Sequence, residues 1–131
     1  MKTKSIRQTV LINASPHAVY EALVDSRQHA KFTGSPAKMT RKVGGPFSAY
    51  EDGLVGTNLE LIPDKKIVQS WMCVMDHWPE DHYSRAVFSL KKVTGGTKLT
   101  FTQSGVPSEC HASISQGWHD HYWEPLKTYF K

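Results

Sequence analysis

The last quarter of the chain carries one long amphipathic pattern, which limits the possible fold more than any other feature. From about Pro107 to Phe130, apolar and aromatic side chains recur at steps of three or four residues, namely Ile114, Trp118, Tyr122, Leu126 and Tyr129. This spacing predicts a helix with one aromatic face. A helix of roughly twenty residues is about 30 Å long, so only a whole sheet could cover that face.

Two residues should disturb this helix. Gly117 costs about 1 kcal/mol inside a helix, and we expect it to let the Trp118 indole or a neighbouring backbone approach closely. Pro125 cannot donate an N–H group and crowds the carbonyl of His121, which predicts a kink near Tyr122. A bent helix that crosses a curved sheet should leave space beneath it.

The rest of the chain has the pattern of the sheet that receives this helix. Residues 7–13 predict a first strand, and Ser15 followed by Pro16 predicts a capped helix over 15–24. A second short helix is expected over 26–32. Six further strands are expected between turns rich in Gly, Pro and Asp, at 37–43, 46–50, 54–62, 67–75, 82–93 and 97–104.

Short connections make such strands pair antiparallel. The predicted fold class is therefore α+β, a curved antiparallel sheet of six or seven strands wrapped on a long C-terminal helix, with two short helices after the first strand. The 131 residues should form a single domain, 1–131, with its own core.

Composition limits the cellular setting. The first residues contain no secretory apolar region, and no stretch has membrane-spanning length, so we expect a cytoplasmic protein that does not bind membranes. The net charge of +4 comes from scattered basic pairs, a pattern that does not favour nucleic-acid binding. Cys73 and Cys110 could pair, but without an export signal we expect reduced, buried thiols.

The sequence offers little support for a metal, a cofactor or catalysis. The seven histidines have no ligand spacing that a metal site would need, so no cofactor is expected. Nucleophile elbows, phosphate loops and dinucleotide fingerprints are also absent from the sequence. A cavity could still bring polar groups together for proton transfer, and the candidates are Tyr20, Tyr50, Gln103, Ser104, His111, His121 and Tyr122.

One loop stands out by its composition. Residues 76–82 combine Trp78 with three carboxylates. An exposed indole in a polar loop is typical of a partner contact or a cavity rim. We favour the other interpretation, a hairpin loop whose tryptophan covers the edge of the core.

Five short motifs follow one another along the chain in a recognisable order. They are Ala14-Ser15-Pro16-His17-Ala18-Val19-Tyr20, Gly44-Gly45-Pro46-Phe47, Leu61-Ile62-Pro63-Asp64-Lys65-Lys66-Ile67-Val68-Gln69-Ser70-Trp71, Ser104-Gly105-Val106-Pro107 and Gln116-Gly117-Trp118. Together they resemble the START-like, or SRPBCC, superfamily, and in particular the C-terminal domain of the activator of heat-shock protein 90 ATPase. The resemblance runs from roughly Lys4 to Phe130 and implies a helix-grip fold.

The resemblance implies three possible functions. The superfamily uses the space between helix and sheet for apolar ligands, and some branches use it for polyketide cyclisation. We therefore expect a non-catalytic binding module for a small hydrophobic ligand. The alternatives are a co-chaperone-like protein that contacts the heat-shock protein 90 chaperone, and a polyketide cyclase-like enzyme.

The expected cavity lies between the sheet and the terminal helix. Apolar walls with a few polar groups are the usual composition of a ligand site. The candidate ligand-binding residues are Phe32, Met39, Phe47, Tyr50, Leu59, Trp71, Cys73, Phe88, Phe101, Ile114, Trp118 and Tyr122. Either a monomer or a homodimer is compatible with the sequence.

Overall fold

The strands and helices follow the order that the sequence pattern predicts. A computed structural model describes residues 1–131. Its elements are β1 Thr3–Ile12, α1 Pro16–Val24, α2 Ser26–Thr33, β2 Ala37–Lys38, β3 Pro46–Ala49, β4 Leu54–Ile62, β5 Lys66–Cys73, β6 Ser84–Val93, β7 Gly96–Pro107, a 3₁₀ turn Ser108–Cys110, α3 His111–Trp118, a π-helical segment His119–Trp123 and α4 Glu124–Tyr129.

All seven strands belong to one curved antiparallel sheet with the order β1-β7-β6-β5-β4-β3-β2. The first strand pairs with the last, with Val10 opposite Leu99, while the later strands follow one another as hairpins. Because β1 and β2 lie at opposite edges of the sheet, α1 and α2 connect one edge to the other. The predicted α+β class is confirmed. No helix combines the length and the apolar composition needed to span a membrane.

The two short helices form for the reasons that the sequence indicates. The hydroxyl of Ser15 accepts a hydrogen bond from the N–H of Ala18 at 3.1 Å, which satisfies one unpaired donor of the first turn. Pro16 begins the helix, where its missing N–H has no cost. Helix α2 ends at Gly34, whose φ of 74° is the left-handed conformation that favours glycine.

The terminal helix runs without a break from His111 to Tyr129, and a π-helical segment interrupts its regular geometry where the sequence predicts a kink. Pro125 has no N–H for the carbonyl of His121, and a π-helical segment lies just before it. There the N–H of Glu124 donates to the carbonyl of His119, five residues back. The expected kink therefore takes the form of a widened turn, as is common for single-turn π segments.

The wide turn changes which side chains face the sheet. Trp123 lies outside the predicted stripe, yet it is only 1% exposed. Its indole stacks on Trp118 with ring centroids 5.4 Å apart. The ring centroids of Trp118 and Phe101 of β7 are in turn 4.2 Å apart. The core is therefore an aromatic cluster held between the two halves of the helix and the middle of the sheet.

One strand prediction and one site prediction need correction. Strand β2 covers two residues rather than 37–43, because the Nδ2 group of Asn58 donates to the carbonyls of Thr40 and Lys42 at 2.8 and 3.3 Å. In β4, the pairing with β5 shifts between Asn58 and Glu60. The extra residue of this bulge, Leu59, is 45% exposed, so the prediction that it lines the cavity is wrong.

The structure supports the favoured interpretation of the loop that contains Trp78. This indole is 6% exposed and packs edge-on against Trp71 with centroids 5.7 Å apart. Its Nε1–H donates to the carbonyl of His82 at 2.8 Å. The hydrogen bond closes the loop, and its tryptophan covers the edge of the core, as the favoured interpretation predicts.

Candidate functional site

An open apolar cleft lies between the ends of β4 and β5 and the first half of the terminal helix. Its volume is about 330 Å³, at the lower end of the range typical of small-molecule sites. Nine of its thirteen lining residues are hydrophobic, and the full set is Tyr50, Gly53, Leu54, Trp71, Cys73, Val74, Met75, Ser113, Ile114, Gly117, Trp118, His121 and Tyr122. The protein's own side chains leave this space unfilled.

The rim of the cleft is a strained turn between β3 and β4. Tyr50, Glu51 and Asp52 have successive φ values of 51°, 56° and 66°, a left-handed backbone that costs roughly 1–2 kcal/mol per residue with a side chain. Strain of this kind persists only where surrounding contacts hold it. Here the N–H of Val74 donates to the carbonyl of Gly53 at 2.8 Å.

A second contact ties the same turn to the terminal helix. The hydroxyl of Tyr50 donates to the carbonyl of His121 at 2.7 Å. This is the carbonyl that Pro125 cannot reach, so the side chain of the turn supplies the donor that the helix lacks. Turn and helix are therefore held at a fixed separation, which keeps the cleft open.

Burial keeps three ionisable groups in the cleft walls neutral. Burial raises the pKa of Tyr50 to about 12 and raises the pKa of Tyr122 further above its usual range. Burial also raises the pKa of the Cys73 thiol to about 11, with a smaller contribution from Cys110. Because both phenols and this thiol remain protonated at neutral pH, the walls favour uncharged, apolar ligands.

The structure places six of the twelve predicted ligand-binding residues around the cleft. They are Tyr50, Trp71, Cys73, Ile114, Trp118 and Tyr122. Five others pack into or against the core instead, namely Phe32, Met39, Phe47, Phe88 and Phe101. These side chains do face the helices, but the aromatic cluster fills the middle of the space between sheet and terminal helix. Only the end near the β3–β4 turn stays open.

Sequence reasoning missed part of the open end. Gly53, Leu54, Val74 and Met75 lie at strand ends and in a turn, where alternation no longer indicates which side faces the helix. It also missed Ser113 and Gly117, the small residues of α3 that leave room beside Ile114. The sequence did contain a signal for this space, because a serine and a glycine stand beside the apolar and aromatic positions of the helix.

A second, much smaller cavity lies deeper between helix and sheet. Its volume is about 10 Å³, and its walls include Leu23, His29, Met39, Phe47, Ile67, Gln69, Trp71, Phe88, Trp118 and Tyr122. Trp71, Trp118 and Tyr122 line both spaces. His29 is 2% exposed, and burial lowers its pKa to about 4. No periodicity indicated this buried histidine.

Of the seven polar residues considered for catalysis, only three lie together in the cleft. The Oε1 atom of Gln103 accepts from the indole N–H of Trp118 at 2.8 Å, and its Nε2 group donates to Ser84. His111 bonds the carbonyl of Ser5 at 3.0 Å, away from the cleft. Tyr50, His121 and Tyr122 are the candidates that do line it. The structure contains no group of three or more His, Cys, Asp and Glu side chains arranged to hold a metal ion.

Both cysteines are free thiols in the structure. Cys110 is buried, and its Sγ atom lies 3.5 Å from the carbonyl of Asp76. Cys73 is partly buried in the wall of the cleft.

Comparisons with known proteins agree with this architecture. The chain is 28% identical to the human activator of 90 kDa heat shock protein ATPase homolog 1 over 126 residues, which are 96% of this chain and 36% of that protein. A homologous activator from Dictyostelium discoideum is 28% identical over 130 residues, covering 98% of this chain and 33% of that protein. The chain thus spans about a third of the length of these relatives.

A solved structure has the same fold. The crystal structure of an HSP90 activator from Plasmodium falciparum superposes with a TM-score of 0.86 at 24% identity, covering 95% of this chain and 94% of that chain. The family model described as activator of Hsp90 ATPase homolog 1-like protein matches residues 13–131. This chain belongs to that family.

Proposed function

We propose that this protein is a non-catalytic binding module that takes a small hydrophobic ligand in the apolar cleft. The observation that carries the proposal is a cleft of about 330 Å³ that the protein's own side chains leave open beside a tightly packed core. Apolar surface that an open cleft exposes to water is unfavourable by about 25 cal/mol per Å². A ligand of matching size would remove this surface from water.

The two phenols and the thiol in the cleft walls support binding rather than catalysis. A general base must be deprotonated near neutral pH and lie within reach of the proton that it removes. Burial keeps Tyr50, Tyr122 and Cys73 protonated. These groups can orient a ligand by hydrogen bonding, but they are poorly suited to removing a proton from it.

The test is a thermal-shift titration with naphthalene, an uncharged two-ring probe. Binding should raise the melting temperature, since a ligand at a hundredfold excess over its dissociation constant adds about 2.7 kcal/mol of stability. The cleft-filling variant Ser113→Phe should lose the shift. Ala112→Phe introduces the same side chain at the neighbouring exposed position outside the cleft, so it should keep the shift. An equal response of both variants would contradict the proposal.

Family membership favours a second candidate, a surface contact with the heat-shock protein 90 chaperone. The curated relatives are named as activators of the chaperone's ATPase, but they are about three times longer than this chain. Buried Trp78 cannot supply such a contact. The exposed groups that could do so include Glu80 and Asp81 in the loop, and Lys91 opposite Lys98 on adjacent strands.

A chaperone ATPase measurement separates the two candidates. A co-chaperone should stimulate the ATPase of heat-shock protein 90, and Ser113→Phe should leave that stimulation intact because it alters only the cleft. Charge reversal of Lys91 and Lys98 to Glu should reduce it. Stimulation that disappears only when the cleft is filled would instead connect the ligand site to the chaperone.

A further inference from the structure

His29 contains an unpaired polar atom deep in the protein. Its imidazole is 2% exposed, and its Nδ1 atom is the single buried side-chain nitrogen or oxygen without a hydrogen-bond partner. Buried polar atoms are almost always paired, so an exception calls for a specific explanation. The same ring uses its other nitrogen, Nε2, to bond the hydroxyl of Tyr122 at 3.1 Å.

The unpaired nitrogen belongs to a residue that lines the inner cavity. The volume of about 10 Å³ is close to the space that one water-sized group requires. Gln69 is the other polar residue in its walls. Since Trp71, Trp118 and Tyr122 line both the inner cavity and the cleft, the two spaces adjoin each other along these side chains.

The pairing with Tyr122 determines which chemical group could satisfy Nδ1. If the Tyr122 hydroxyl donates to Nε2, then Nδ1 carries the hydrogen and needs an acceptor. If Nε2 donates to the hydroxyl, Nδ1 needs a donor instead. A ligand hydroxyl satisfies both cases because it both donates and accepts, whereas a carboxylate or an ammonium group would be charged inside an apolar enclosure.

We propose that the inner cavity is the polar subsite of the ligand site, and that it receives one uncharged hydroxyl group of an aromatic ligand whose ring system lies in the cleft. The inference rests on the proposed ligand-binding function and narrows the ligand class to phenol-type molecules. The aromatic wall residues Tyr50, Trp71 and Trp118 favour a ring over a flexible chain, because ring pairs pack edge-on or offset.

The experiment compares two probes that differ only by a hydroxyl group, 2-naphthol and naphthalene. Dissociation constants are measured by isothermal titration for the wild type, His29→Phe and the control His17→Phe, which places the same substitution at an exposed histidine. One hydrogen bond to an otherwise unpaired group should make 2-naphthol bind about tenfold more tightly. This ratio should persist in His17→Phe and fall to about one in His29→Phe.

A second measurement does not depend on a folded variant. In the wild type with ¹⁵N-labelled histidine, 2-naphthol should shift the Nδ1 resonance of His29, and naphthalene should leave it unchanged. Equal affinities together with an unmoved Nδ1 resonance would overturn the inference and leave the cleft as a purely apolar site. If neither probe binds, both the inference and the proposed function fail.

Discussion

Trp118 connects the helix, the sheet and the cleft through one side chain. Its ring packs on Phe101 and Trp123, and its N–H donates to Gln103, which is fully buried. Gln103 continues the connection by donating to Ser84 at 2.9 Å. An aromatic cluster with a satisfied polar chain inside it specifies one arrangement, since a broken link would leave a buried polar atom unpaired.

Replacing Trp118 by Ala should therefore cost about 3–5 kcal/mol, a large part of the roughly 5–15 kcal/mol that stabilises a domain. Chemical denaturation measures this loss. Trp118→Phe is the matched control, because it keeps an aromatic ring but leaves the Oε1 atom of Gln103 unpaired, so it should cost about 1–3 kcal/mol. An unchanged denaturation midpoint in the alanine variant would show that the helix does not pack on the sheet in this way.

His29 should make stability depend on pH. Its pKa in the folded protein is about 4, against an ordinary value of 6.5, so between these values the unfolded chain binds more protons than the folded one. Stability is therefore complete above pH 6.5 and decreases as the pH falls toward 4, by about 3 kcal/mol. Urea denaturation across this range should show a smaller decrease in His29→Leu. Identical pH profiles for both proteins would contradict the buried, neutral histidine.

At the scale of the elements, the sequence predicts most of the architecture. The alternation of apolar and polar residues predicts β4 with the observed bounds. The capping pattern at Ser15 and Pro16 predicts the start of α1 to within one residue. Pro125 indicates a kink but not its form. A helix that lacks one N–H donor can bend or form a π turn, and the surrounding tertiary contacts decide between the two. Trp123 is missed for this reason, since only the widened turn brings it onto the buried face.

Gly117 lies beside the cleft and Gly56 lies beside the core. Their substitution by alanine should change stability in opposite directions. Outside its own helix turn and its chain neighbours, a Cβ atom at Gly117 meets nothing closer than the Cδ2 atom of His121 at 3.8 Å, so no backbone from another segment approaches closely there. Gly117→Ala should raise stability by about 1 kcal/mol through helix propensity. In Gly56→Ala, the new Cβ atom would overlap the carbonyl oxygen of Ser70 and lie 2.6 Å from the Phe47 ring.

Overpacking of this kind costs about 1–3 kcal/mol, so Gly56→Ala should lower the thermal midpoint while Gly117→Ala raises it. Both variants change one hydrogen to one methyl group, which makes the comparison direct. A loss of stability in Gly117→Ala would mean that the first half of the terminal helix is packed more tightly against the turn than its contacts indicate.

At the scale of the whole molecule, the sequence predicts a sheet wrapped on the terminal helix. It does not predict where a cleft remains between the two. Counting apolar positions places Phe88 and Phe101 on the correct face, yet the space there is taken by Trp118 and Trp123. The cleft exists at one end because the bond from Tyr50 to the terminal helix fixes the separation of the strained turn from the helix. The small side chains at Ser113 and Gly117 also leave room there. These are relations between distant segments, and no local pattern encodes them.

The ligand-binding role of the cleft is tested most directly by titrating ¹⁵N-labelled protein with naphthalene and recording amide chemical shifts. The expected result is a set of saturable shifts confined to the cleft, at Gly53, Leu54, Cys73, Val74, Ser113 and Gly117, with no change on β1 or the outer face of β7. Shifts absent at saturating probe, or scattered over the outer face of the sheet, would contradict a ligand site between helix and sheet.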